Sequence, residues 1–143
     1  THDDGRRPNE LSRADVVLVG VSRASKSSTS FFLAFQGVRT ANVPLVPGME
    51  PLPQLLRLPR NRVVGLRVNV DRLLAVREAR AEGLGMRGGE DYLDRRAVAQ
   101  EVIWADRIME ARGWRSVDVS YLAIEEIAKE VLRVRKLRGS PRW

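Results

Sequence analysis

Lys26 and Ser27 follow Gly20 by six and seven residues in the run Gly20-Val21-Ser22-Arg23-Ala24-Ser25-Lys26-Ser27. Set beside the phosphate-binding pattern G-x-x-x-x-G-K-[ST], this run matches at Gly20, Lys26 and Ser27. It misses at Ser25, where the pattern has glycine. A loop of this spacing wraps a phosphate so that several backbone N–H groups point inward. The helix that follows presents the positive end of its dipole to the same anion. In that arrangement Lys26 neutralises charge on the terminal phosphates and Ser27 holds a Mg²⁺ ion. Arg23, within the loop, can clamp a phosphate with two parallel hydrogen bonds. The plain alternative is a serine-rich turn capping a helix, with Lys26 and Arg23 in solvent. A second candidate, Asp118, closes a short apolar run and can hold Mg²⁺ through water, or else be an ordinary carboxylate at a strand end.

For that chemistry the loop must lie between a buried strand and a helix. Asp15 to Gly20 is a short, β-branched apolar run ended by glycine, as expected of a buried parallel strand. A helix is expected from near Lys26 through Phe35, stopped at Gly37. Thr40–Leu45, Arg62–Val68 and Val117–Val119 are expected as further strands, and Pro51 to Leu58 as a loop or helical turn. Asp71 is positioned to cap a helix running to about Glu82, with Leu73, Val76 and Leu84 along one side. Tyr92 to Arg112 is expected as a long helix, with Val98, Val102, Ala105 and Met109 at helical spacing and Gly113 as its stop. The last helix carries the stripe Ile124, Ile127, Ala128, Val131 and Leu132, with Glu125 and Glu126 in its first turn and Arg133, Arg135 and Lys136 in its last, as the helix dipole favours. Gly83 to Gly89 holds four glycines and reads as a surface connection, or else as a lid. Strand–helix alternation predicts an α/β fold, a parallel sheet with flanking helices in a P-loop NTPase-like arrangement, with ligand at the carboxyl ends of the strands.

The 143 residues suffice for one domain with a real core. No apolar run approaches the roughly 20 residues of a membrane helix, and residues 1–10 contain no apolar segment of a signal peptide. Cysteine is absent, which excludes disulfides and thiolate chemistry. These features point to the cytoplasm and away from a membrane. A net charge of +7 suits an anionic partner. Only 6% of residues are aromatic and none is interleaved with the basic residues, which argues against nucleic acid. Arginines next to acids, as in Asp94-Arg95-Arg96 and Glu78-Ala79-Arg80, read as solvated helix faces. Trp104 and Trp114 read as packing residues.

The segment Ala14-Asp15-Val16-Val17-Leu18-Val19-Gly20-Val21-Ser22-Arg23-Ala24-Ser25-Lys26-Ser27-Ser28-Thr29-Ser30 resembles the signature of the pyruvate, phosphate dikinase regulatory proteins, A-D-V-V-L-V-G-V-S-R-T-S-K-T-P-T-S. In that family serine commonly stands where this chain has Ser25. Ala41-Asn42-Val43-Pro44-Leu45-Val46-Pro47-Gly48, Val63-Val64-Gly65-Leu66, Arg72-Leu73, Ile124-Glu125-Glu126 and His2-Asp3-Asp4-Gly5 resemble further blocks, so the likeness runs from His2 to about Leu132. Members are about twice this long. Residues 1–13 are therefore expected to be a segment left from a longer chain, 14–138 the phosphotransferase domain and 139–143 a tail.

The resemblance implies a bifunctional enzyme. ADP serves as phosphate donor to a threonine near the catalytic histidine of the dikinase, switching it off. Inorganic phosphate later removes that group and leaves as pyrophosphate. Asp4 and Asp118 are the candidates for a base, and the family block gives His2 a possible role. Three departures stand out: Ala24 replaces Thr or Ser, Ser27-Ser28 replaces Thr-Pro, and Asn69 replaces an Asp, which puts any acid role there in doubt. The other readings are a small-molecule P-loop kinase and a non-catalytic basic module binding nucleotide or nucleic acid. The sequence leaves oligomeric state open.

Overall fold

The valine-rich run after Asp15 has no polar side chain to offer water, and it becomes the centre of the sheet. In the computed structural model, which describes residues 8–21, 23–83 and 94–135, Val16–Gly20 forms β1 with all five residues buried. Thr40–Pro44 (β2), Val63–Arg67 (β3) and Arg115–Asp118 (β4) join it. All pairings are parallel and the order is β2-β1-β3-β4. The fold is thus the expected α/β class, consistent with a P-loop NTPase-like arrangement. The register sets Gly20 opposite Pro44 and Arg67 opposite Asp118, so the carboxyl ends of all four strands share one edge. From β1 the chain turns first to β2 on one side and then to β3 on the other. That reversal makes β1 the switch point, where ligands of open α/β sheets bind.

Five α-helices are among the described elements: α1 (Lys26–Phe35), α2 (Pro53–Leu56), α3 (Val70–Gly83), α4 (Arg95–Arg112) and α5 (Ile124–Arg135). α1 and α5 pack together over one face of the sheet, and α3 pairs with α4 over the other. The expected stripe on α4 is buried in full: Val98, Val102, Ala105 and Met109. On α5 Ile127, Ala128 and Val131 are buried, joined by Val134, while Ile124 and Leu132 are partly buried against the core. Trp114 is buried and Trp104 packs on the core, both in the packing role expected. No described helix is long and apolar enough to cross a membrane.

Two expectations are corrected. Asp71 does not cap α3. The helix begins at Val70, and Asn69 is the cap: its Oδ1 accepts from the Arg72 N–H at 2.8 Å and its carbonyl from the Leu73 N–H at 3.0 Å. Asp71 lies in the first turn and pairs instead with exposed Arg95 at 2.6 Å. The long helix begins at Arg95 rather than Tyr92, because Asp94 accepts from the Arg96 N–H at 3.2 Å and closes its N-terminus. The glycine-rich connection from residue 84 on, with Leu84, lies outside the described residues, as does Lys136.

The core also holds a charged pair. Arg77 is only 1% exposed, and its guanidinium donates twice to Glu101, at 2.9 and 2.6 Å, tying α3 to α4. The fork sets two guanidinium N–H groups against the two carboxylate oxygens of Glu101. That geometry is what allows an arginine to be buried between helices.

Candidate functional site

The last residue of β1 is a glycine because the neighbouring strand leaves no room there for a side chain. A Cβ there would meet the Leu66 carbonyl oxygen of β3 at 2.8 Å. The chain then turns sharply into α1. Arg23 (φ 71°) and Ser25 (φ 67°) both adopt the left-handed conformation that L-residues avoid. Ser25 is the N-cap of α1, yet its side chain makes no capping hydrogen bond, though its carbonyl accepts from the Thr29 N–H at 3.0 Å. The miss against the general motif thus falls where the backbone takes a glycine-like conformation. A serine that does not cap leaves the first N–H groups of α1 available to an anion.

Lys26, the first residue of α1, is 6% exposed, and its ammonium donates to the Val21 carbonyl at 2.8 Å. A cleft of about 480 Å³ opens beside it, lined by Arg23, Ser25, Lys26, Ser27, Ser28, Pro44 and Val76. Five of the seven belong to the loop and the first turn of α1. Two positive side chains, three hydroxyl-bearing residues and a helix N-terminus meet in this cleft, a set of groups chemically suited to an anion. These residues fit a phosphate chain. Ser27 is exposed on the cleft, and no carboxylate lines it among the described residues. A Mg²⁺ ion would therefore take the Ser27 hydroxyl together with ligand phosphate oxygens, as Mg²⁺ commonly does.

The remaining candidates fall as follows. Gly20, Val21 and Ala24 are buried in the turn and supply backbone. Ser22, His2 and Asp4 lie outside the described residues. Asp118 stands at the carboxyl end of β4, two strands from β1, and is not among the residues lining the cleft. Its carboxylate accepts from the Ser120 N–H at 3.0 Å and the Ser120 hydroxyl at 2.6 Å. Ser120 Oγ in turn accepts from the Asn69 N–H at 2.9 Å, so these residues knit the ends of β3 and β4 together. On α4, burial pushes the Asp106 carboxyl above its ordinary value. Nearby Asp118 adds to that shift, and Arg67 opposes it.

Sequence reasoning did not place Pro44, Ser28 or Val76 at the site. Pro44 ends an expected strand, but that it borders the loop follows only once β2 is known to lie beside β1. Val76 gave no signal, since its spacing from Leu73 marks only an apolar helix face.

A parallel α/β sheet with this loop at the end of its central strand defines a class of domain, and comparison with known proteins narrows it. A family model described as Kinase/pyrophosphorylase matches residues 1–132, and the chain belongs to this family. It is 46% identical over 143 aligned residues, 94% of its length, to a protein of Acidiphilium cryptum (strain JF-5). It is 48% identical over 93% of its length to one of Rhodopseudomonas palustris (strain BisA53), and 45% over 93% to one of Caulobacter vibrioides (strain ATCC 19089 / CIP 103742 / CB 15). All three are named as pyruvate, phosphate dikinase regulatory proteins. The matches cover 49%, 48% and 42% of those proteins, so the chain spans about half the length of the curated relatives it matches.

Proposed function

We propose that this chain carries the phosphate-binding site of an ADP-dependent protein kinase and phosphate-dependent pyrophosphorylase that regulates pyruvate, phosphate dikinase in the cytoplasm. Family membership and the relatives' names support a phosphotransfer enzyme acting on that target. The observation that carries the reading is Lys26, buried at the uncapped start of α1 with its ammonium over the loop.

In the forward direction ADP supplies the phosphoryl group. The target threonine oxygen bonds to the β-phosphorus as the bond to the bridging oxygen breaks, AMP leaves, and the hydroxyl proton passes to a base. In the reverse direction inorganic phosphate attacks the phosphothreonine, restoring the hydroxyl and forming pyrophosphate. Both steps spread negative charge over equatorial oxygens. The loop N–H groups, Lys26 and Arg23 would stabilise that charge as it develops. Ser27 would hold Mg²⁺. Asp118 and Asp4 remain the proposed bases, and Asp118 would have to reach the cleft from the Ser120 network.

The test is an assay of dikinase activity with the full-length protein and ADP. Dikinase should lose activity, and regain it with pyrophosphate release when inorganic phosphate is added; a Lys26→Ala variant should do neither. Dikinase that keeps full activity with ADP and the unaltered protein would contradict the assignment.

A further inference from the structure

β2 does not stop at the cleft. Its last residue, Pro44, is a wall of the phosphate cleft on one side and of a second pocket on the other. That pocket, of about 190 Å³, is lined by residues 43–46 and 49–52 and is apolar in character. Three features show that it is built rather than incidental. The Leu45 N–H donates to the Gly20 carbonyl at 2.9 Å, so the pocket floor is tied to the first residue of the phosphate loop. Residues 46–49 form a tight turn, with the Met49 N–H on the Val46 carbonyl at 3.0 Å. Pro47 sits at the second position of this turn and Gly48 at the third, with φ of 79°, a type II pattern whose third position needs glycine. The turn holds Val46 and Met49 open to solvent at 42% and 62% exposure, an arrangement that burial in the core does not explain.

The two neighbouring cavities divide polarity as a nucleotide does. One is basic and rich in hydroxyls, the other apolar with a single carboxylate, Glu50. We infer that the Val43–Leu52 pocket takes the nucleobase of the diphosphate whose phosphates occupy the loop. Val46 and Met49 would face the ring, and Glu50 would accept a hydrogen bond from an exocyclic amine. This rests on the phosphate-site reading above and extends it to the base. Small, apolar-walled pockets with one placed polar group are the usual form of such subsites, and methionine adapts well to a flat ring.

The test compares ADP with pyrophosphate, which has the phosphates and no base. Both are titrated by calorimetry, with Mg²⁺, into the full chain and its Val46→Ala/Met49→Ala variant; both positions are exposed, so the variant should fold. The pocket predicts that the variant weakens ADP about ten-fold, from lost apolar contact, and leaves pyrophosphate within about two-fold. A second variant, Val46→Trp, should fill the pocket and give the same split. ADP affinity unchanged in both variants, or ADP binding no tighter than pyrophosphate in the unaltered chain, would overturn the base pocket and leave the phosphate loop standing. No binding of either ligand would remove the loop reading and the pocket with it.

Discussion

Ser25 holds a conformation that costs a residue with a Cβ roughly 1–2 kcal/mol, and it does so in the wall of a polar cleft. Strain of this kind persists where surrounding structure imposes it, often at ligand sites. A Ser25→Gly variant relieves it and should raise unfolding stability by about 1 kcal/mol, less the greater entropy glycine gains in the unfolded chain. Denaturant unfolding measures this directly, and a loss of stability would show that the serine hydroxyl makes a contact worth more than the strain. The site was legible at this scale because glycine, lysine and serine at fixed intervals are needed for their atoms. The left-handed Ser25 was not, because a pattern match records only that glycine is missing. The same limit explains Asn69: read as a lost acid, it is the cap of α3.

At the scale of elements, the strands were legible because β1 is buried on both faces and so reads as an unbroken apolar run. Their lateral order was not, since nothing in a parallel strand's own residues states its neighbour. Nor was the Arg77–Glu101 pair, because two charges 24 residues apart on different helices read separately as solvated faces. The packing of α4 on β3 and β4 has a consequence for pH. Burial raises the folded-state pKa of Asp106 above its ordinary 3.8. The folded chain therefore binds more protons than the unfolded one, and stability falls as pH rises from 3.8 through the folded value. Asp106→Asn removes that ionisation. Its melting temperature should exceed that of the parent at pH 7, and the gap should close below pH 3.8. A gap of equal size at both pH values would show that the effect is packing and not charge.

For the molecule as a whole, the change in the lateral sense of the connections at β1 brings the walls of the proposed phosphate cleft together at one edge of the sheet. The loop after β1, the end of β2 and the wall of α3 each contribute residues from segments distant in sequence. The strand–loop–helix at residues 16–35 could be read ahead of the fold. The cleft could not, because Pro44 and Val76 join it only when the sheet order is set. The net charge of +7 supplies a general attraction for anions, and the proposed site assigns the specific attraction to the loop.

The central claim is that this loop binds the phosphates of a nucleoside diphosphate through Lys26. Calorimetric titration of ADP with Mg²⁺ into the full-length protein and its Lys26→Ala variant tests it most directly. The account predicts saturable binding that the variant loses, by about 100-fold or more, as expected when a buried charge partner is removed. Equal ADP affinity in the two proteins, or no ADP binding in the unaltered one, would contradict it.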